Sequence, residues 1–276
     1  MPRSLWVHDP DDSAVSLVGR TPLGVIPSPA LDLSLTDTAS LAFENADEEH
    51  VYSAAIDFDD LVGQAGAVRA FSFSLWVDVT SLVQYDAVCG ATANYNTWDD
   101  GWGFYLVTAN TGQFWINVNE VAAQNAVTNA GANWTTRGWT HVVGAWNADG
   151  GSPTLTLYVD GVAQTDTGTI TTTMVEGNYP VVWGVSSRVN EIQGYNGDSA
   201  EFSIWNRALA SNEVSAIYNS GVPTNLVKHS FAGALALWWR SEDLSGGTIT
   251  DASGNGNDGT LDGTGAAVPE TTTNVP

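Results

Sequence analysis

Phe71-Ser72-Phe73-Ser74-Leu75-Trp76-Val77-Asp78-Val79 decides the architecture of this chain. Successive side chains of a strand point to opposite sides, so Phe71, Phe73, Leu75, Val77 and Val79 share one face while Ser72, Ser74 and Asp78 share the other. Such a pattern predicts a strand with one buried face. The theme recurs at Gly103 to Thr108, Gln113 to Val118, Trp139 to Trp146, Thr154 to Asp160, Pro180 to Val185 and Ala200 to Asn206, with turn signals between them. Asp160-Gly161, following Leu155, Leu157 and Val159, marks a hairpin, because both turn positions favour residues that tolerate positive φ. One helix is expected, Ser211 to Ser220. Ser211 would cap it, Glu213 suits its positive N-terminal end, Val214, Ile217 and Tyr218 share a face, and Gly221 with Pro223 ends it. Many short strands and one short helix predict an all-β chain, a two-sheet antiparallel jelly-roll sandwich.

The flanks differ from this centre. Residues 1–30 carry Pro2, Pro10, Pro22, Pro27 and Pro29, so they read as an extended arm. Its Leu5, Trp6, Val7, Leu23, Val25 and Ile26 are apolar enough to need a partner or a neighbouring copy. The sandwich is expected over residues 31–222. Beyond it, Leu235, Leu237 and Trp239 alternate with Ala234, Ala236 and Trp238, which predicts a strand buried on both faces. Thr248-Ile249-Thr250 and Gly259-Thr260-Leu261 could pair beside it. Residues 223–265 are therefore expected to complete the sandwich, either by folding back or by insertion into a neighbouring copy. Residues 266–276 have no core pattern and are expected to fray.

Composition excludes several classes. Of 276 residues 43% are hydrophobic, enough to bury a core without staples. Acidic residues outnumber basic ones 31 to 8, giving a formal charge of −23, which repels phosphate backbones and anionic bilayers. Nucleic acid and membrane are thus not expected partners. The surface, with Lys228 as sole lysine, reads either as fitted to a saline medium or as merely soluble. Cys89 is the single cysteine and forms no disulfide within the chain. Met1 to Asp12 lack the apolar core of a secretory leader, and no stretch approaches the length of a membrane span. The sequence therefore predicts a chain that starts out soluble in a cytoplasm.

Four segments, in this order, carry a resemblance: Ser40-Leu41-Ala42-Phe43 with Glu44 to Glu49 and Val51-Tyr52; Phe71 to Val77; Gly138-Trp139-Thr140-His141-Val142-Val143 through Leu157 to Gly161; and Gly197-Asp198-Ser199-Ala200-Glu201-Phe202-Ser203-Ile204-Trp205-Asn206-Arg207-Ala208-Leu209 followed by Glu213-Val214. Together, over residues 38–221, they resemble the laminin G-like or concanavalin A-like lectin/glucanase superfamily. The resemblance implies a jelly-roll sandwich. Two departures stand out. Ala210 replaces the usual serine, which shifts the expected helix cap to Ser211. Leu237-Trp238-Trp239-Arg240 through Asp251 to Leu261 looks like the opening of such a domain, yet lies near the C-terminal end.

The resemblance also sets what hydrolysis would need. Hydrolases of this superfamily use Glu-x-Asp-x-x-Glu on one strand, which aims two carboxylates into a cleft. Glu44 to Glu49 spells Glu-Asn-Ala-Asp-Glu-Glu, the wrong spacing and in a turn. No Gly-x-Ser-x-Gly occurs, and His8, His50, His141 and His229 lie far apart; His141 reads as a packed strand residue. Gly254 to Gly259 spells Gly-x-Gly-x-x-Gly without the strand-loop-helix context of a dinucleotide site. The same region has two other readings. Asp251, Ser253, Asn255, Asn257 and Asp262 have the spacing of a calcium loop, or they form an Asx/Gly turn. Asp198, which the resemblance places at the start of a strand near a structural calcium, is either a ligand or a turn cap.

For ligand recognition the sequence singles out Asn94 to Trp102. Tyr95 and Trp98 could stack on sugar rings, with Asp99 and Asp100 accepting hydroxyl hydrogen bonds, or the two rings anchor local packing. Trp102 is expected to pack.

Without a carboxylate pair, a leader or disulfides, elimination points to a non-enzymatic virion structural protein of the kind found in phages. It would be built from a lectin-like sandwich and bind a surface glycan. The alternative is a carbohydrate-binding adhesin of a cell surface or extracellular space, and third a glycoside hydrolase. Expected partners are other virion proteins, further copies of the chain and a surface glycan, and the expected cofactor is at most a structural calcium.

Overall fold

The computed structural model describes residues 33, 35–44, 48–65, 67–83, 86–92, 101–107, 111–118, 121–127, 133–149, 153–164, 174, 179–185, 194–263 and 268–276. The arm expected at residues 1–30 lies outside them. Leu33–Pro276 forms one compact unit. In chain order its elements are β1 (Ser40–Phe43), β2 (His50–Asp57), α1 (Phe58–Leu61), β3 (Ala70–Ser81), β4 (Asp86–Thr92), β5 (Gly101–Val107), β6 (Thr111–Val118), β7 (Val121–Val127) and α2 (Trp134–Arg137). Then follow β8 (Thr140–Asn147), β9 (Thr154–Val159), β10 (Val162–Ala163), β11 (Pro180–Trp183), β12 (Asn196–Trp205), α3 (Ser211–Tyr218), β13 (Leu235–Ser245), β14 (Thr248–Asp251), β15 (Gly259–Asp262) and β16 (Glu270–Thr272).

All described ladders are antiparallel, and one hydrogen-bonded path runs β10-β9-β8-β3-β12-β13-β14-β15-β2-β11-β4-β5-β6-β7. The path folds over on itself, so its two halves make the sandwich. Phe73 of β3 stacks on Trp102 of β5 at 5.3 Å and meets Phe114 of β6 edge-on at 5.1 Å. These contacts join the two layers through the core. A β-carbon on Gly144, opposite Phe73 on the neighbouring strand, would lie 2.1 Å from the Phe73 ring, so glycine is required there for that ring to lie over β8.

Phe71, Phe73, Leu75, Val77 and Val79 face this core as their spacing predicts. The other face differs from expectation, because Ser72 and Ser74 are buried too. A second apolar cluster lies there, formed by Val143, Trp205, Leu235 and Trp238 with Val214 and Ile217 of α3. Ser72 Oγ accepts the Leu209 N–H at 2.9 Å, and Ser74 Oγ meets His141 Nε2 at 2.9 Å, so each serine is satisfied where it is buried. β3 is covered on both sides rather than half-exposed.

The C-terminal strands lie inside the sheet of their own chain. β13 pairs with β12, Phe202 opposite Trp239 and Ile204 opposite Leu237, and β15 pairs with β2, Leu261 opposite Val51. Leu237 and Trp239 enter the main core while Leu235 and Trp238 enter the outer cluster, so the strand is buried on both faces. The tail expected to fray is corrected in part: Glu270–Thr272 forms β16 against β1. Ser40 Oγ donates to the Asn274 carbonyl, and the Asn274 amide donates to Asp78 and Asp198. Pinning by one asparagine side chain has no apolar periodicity to announce it.

Two single-turn helices, α1 and α2, join the one expected from the sequence. The cap of α3 also moves. Ala210 takes the extended N-cap conformation and Ser211 is the first helical residue. Glu213 Oε2 accepts the Ala210 N–H at 2.9 Å while gripping Arg207 through two 2.7 Å bonds. That reach fixes the start of the helix one residue earlier. Alanine offers no acceptor to the first turn, so Ala210→Ser is expected to raise stability by about 0.5–1 kcal/mol in urea unfolding. An unchanged midpoint would show that Glu213 already satisfies this end.

No described helix is long and apolar enough to cross a membrane.

Candidate functional site

One end of the sandwich is assembled from four separate segments. β2 runs into α1, β3 starts at Ala70, β8 ends at Asn147 and β12 ends at Trp205. Gln64 binds them together with every polar position of its amide. Its Nε2 donates to the carbonyls of Ala70 (2.6 Å) and Asn206 (3.2 Å), and its Oε1 accepts the N–H groups of Arg69 (2.8 Å) and Ala70 (3.2 Å). Ala148 N–H donates to the Arg69 carbonyl at 2.7 Å, which adds the end of β8. These bonds preorganise the backbone around an opening.

The opening is a cleft of about 660 Å³ whose polar lining is Gln64, Arg69, Asp149, Asn206 and Arg207. Arg69 Nη1 pairs with Asp149 Oδ1 at 3.2 Å, both side chains more than half exposed. Water screens such a pair, so Arg69 can exchange it for a ligand at little cost. Arg207 is held more firmly. Its two hydrogen bonds to Glu213 raise its own pKa and lower that of Glu213. Within a chain of charge −23 the cleft thus presents two guanidinium groups, two side-chain amides, of which that of Gln64 is already engaged, and one carboxylate. That set can bind hydroxyl and carboxyl groups by hydrogen bonds. It does not supply the paired carboxylates, about 5–9.5 Å apart, that glycoside hydrolysis uses.

Tyr95, Trp98, Asp99 and Asp100 lie outside the described residues. Thr92 and Gly101, which bracket them, face each other across β4 and β5. β2 and β4 are both antiparallel to β11, so Thr92 lies at the same end of its layer as Asp57, where the chain enters the cleft-forming segment. Trp102 packs as expected, fully buried among Phe58, Phe71 and Phe73.

Asp251, Ser253, Asn255 and Asn257 come together as a hydrogen-bonded turn. Asp251 accepts the N–H groups of Trp238, Ser253 and Asn257 and the Ser253 hydroxyl, all at 2.8–3.0 Å. Asn255 and Asn257 turn their amide NH₂ groups onto carbonyls of β13, at 2.8–3.2 Å. This is the Asx/Gly reading of the segment. Asp262 stands apart on β15, opposite His50, and accepts the Gly263 N–H at 3.0 Å. Asp198 sits opposite Asp78 across β12 and β3, with the Asn274 amide between their carboxylates. Burial raises its pKa, the Asn274 bond opposes this, and Asp78 adds to the rise.

Glu49 Oε2 accepts the Glu44 N–H at 2.8 Å, a turn-closing role. His141 is a packed strand residue, its pKa lowered by burial to about 3. The tight group of three carboxylates among the described residues is Asp37, Glu201 and Glu242. It surrounds the Arg240 guanidinium, so a cation of the chain itself already stands there.

Sequence reasoning missed the cleft. Asn206 and Arg207 stand within a quoted motif, but Gln64, Arg69 and Asp149 follow no spacing that points to a site.

Residues 52–215 match the family described as the concanavalin A-like lectin/glucanases superfamily, laminin G type. Among solved structures of this fold is a Bacteroides ovatus ATCC 8483 protein named "putative carbohydrate binding protein". It is 17% identical with a TM-score of 0.60, over 87% of this chain and 60% of that one. A native heptameric SAP-like pentraxin from Limulus polyphemus aligns at 15% identity and TM-score 0.49, over 67% and 84% of the two chains. The CBM40 of a Ruminococcus gnavus IT-sialidase aligns at 13% identity and TM-score 0.46, over 67% and 96%. No curated protein matches the chain in sequence.

Proposed function

The chain belongs to the concanavalin A-like lectin/glucanase superfamily, and on that premise we propose that it is a non-enzymatic carbohydrate-binding module whose ligand enters the cleft at Gln64, Arg69, Asp149, Asn206 and Arg207. The observation that carries this reading is the cleft itself: open, polar, preordered by the four bonds of Gln64, and furnished with a single carboxylate that is already tied to Arg69. Its size lies within the range of small-molecule sites. Guanidinium and amide donors suit the hydroxyl groups of a sugar, and the Bacteroides ovatus protein of the same fold is named for carbohydrate binding.

Binding should be weak, with Kd about millimolar to micromolar, because an open cleft leaves much of the sugar in water. On a glycan array followed by calorimetry, Arg69→Ala and Asn206→Ala are each expected to lower affinity about tenfold while leaving the melting temperature within a few degrees. No reducing sugar should be released from the bound glycan. Array hits that both substitutions leave intact would place the site elsewhere, and release of reducing sugar would make the chain an enzyme.

A further inference from the structure

The segment that leads into β1, residues 35–39, is fastened by buried carboxylates instead of a strand ladder. Glu242 Oε1 accepts the N–H groups of Thr38 at 2.7 Å and Ala39 at 3.3 Å. Asn225 N–H donates to the Leu33 carbonyl at 2.9 Å, and Leu35 packs on the outer apolar cluster. The remaining anchor is Asp37. Its side chain is 2% exposed, and one oxygen each from Asp37, Glu201 and Glu242 lie within 4.8 Å of one another. Among the described residues no N–H donor reaches either Asp37 oxygen, and its cation, Arg240 Nη2, is 4.0 Å away.

The other members of the cluster are better served. Glu201 accepts the Trp238 indole N–H at 2.8 Å and meets Arg240 Nε at 3.4 Å. Arg240 also reaches Glu242 at 3.4 Å and Asp243 at 4.0 Å. Taken over every described element packed here, residues 35–39 contribute Asp37, β12 contributes Glu201, and β13 contributes Arg240, Glu242 and Asp243. Four carboxylates face one guanidinium. Glu201 is placed on purpose: a bulge in β12 puts it at φ +57°, a left-handed conformation costly for a non-glycine residue, and turns it toward Asp37. Two buried carboxylates side by side, one with no donor, are stable when a hydrogen lies between them.

We propose that Asp37 is held protonated beside Glu201, and that the proton on Asp37 operates a clasp on residues 35–39, closed in acid and progressively released as the medium approaches neutrality. Burial, with Glu242 adding to it and Arg240 and the contact with Glu201 opposing it, pushes Asp37 from 3.8 up to about 7, and burial likewise pushes Glu201 well above the usual range. The folded form therefore holds the proton more tightly than the released form. The stabilisation is complete below about pH 4, the ordinary range of an aspartate, and is lost as the pH rises to about 7.

The Thr38 and Ala39 amides report the clasp directly in hydrogen exchange of the full chain. Their protection factors, corrected for intrinsic exchange and referenced to the Ile204 amide of β12, should fall by up to about tenfold per pH unit between pH 5 and 7 and level off above. Asp37→Asn keeps a hydrogen to offer Glu201 and cannot titrate, so it should give a flat profile. If that variant does not fold, Asp37→Leu, which cannot titrate either, provides the same test. A flat wild-type profile, or an equal pH response in the variants, would overturn the proposal. So would saturable recovery of protection on adding calcium at pH 8, which would show that a cation, not a proton, closes the cluster.

Discussion

A chain truncated after Gly221 is expected to lose its cooperative thermal transition and to be recovered as insoluble or molten protein. The reason is positional. β13 stands between β12 and β14, and β15 pairs with β2, so removing them strips both β12 and β2 of a neighbour inside the sheet. Leu237, Trp239 and Ile249 leave the core at once. Each such side chain stabilises by roughly 2–5 kcal/mol, and three of them approach the whole stability of an ordinary domain, about 5–15 kcal/mol. The exposed β12 edge, bearing Phe202 and Ile204, would also invite pairing between molecules. Calorimetry and near-ultraviolet circular dichroism of the truncated chain check this. A soluble monomer with a sharp melt would show that residues 222–276 are an appendage.

Trp102→Ala should be the most damaging single substitution tested, with a loss of about 3–5 kcal/mol. Trp102 is fully buried, stacks on Phe73 at 5.3 Å and lies 4.9 Å from Phe71 and 5.4 Å from Phe58. Its indole N–H has no hydrogen-bond partner among the described residues, so the loss is one of packing between the two layers, and Trp102→Phe should recover more than half of it. Denaturant unfolding should show a shifted midpoint with little change in slope. A cost below about 1 kcal/mol would mean that the layers are not joined through this ring.

The strand pattern of residues 71–79 was legible because period two has a single cause, one face toward the core. The burial of Ser72 and Ser74 was not, since a serine satisfied by Leu209 or His141 looks in sequence like a serine in water. Leu235 to Trp239 was read correctly as buried on both faces because both of its alternating sets are apolar. The end at Glu270–Thr272 escaped because its attachment runs through Asn274, a hydrogen-bonding anchor without periodicity. Family resemblance placed the fold, but not the cleft. Gln64, Arg69, Asp149 and Asn206 meet only when three strand ends converge, and loop residues of this kind have no spacing to read. The aromatic segment at Tyr95 and Trp98 was chosen on composition, and the virion setting on elimination, neither of which is a statement about geometry.

The central claim, that the cleft takes a sugar, is tested most directly by a crystal structure of the chain with its strongest array glycan. The account predicts the sugar between Arg69 and Asn206, with the Arg69–Asp149 contact exchanged for contacts to its hydroxyl or carboxyl groups. A sugar bound anywhere else, with Arg69 still on Asp149 and the cleft holding only water, would contradict it.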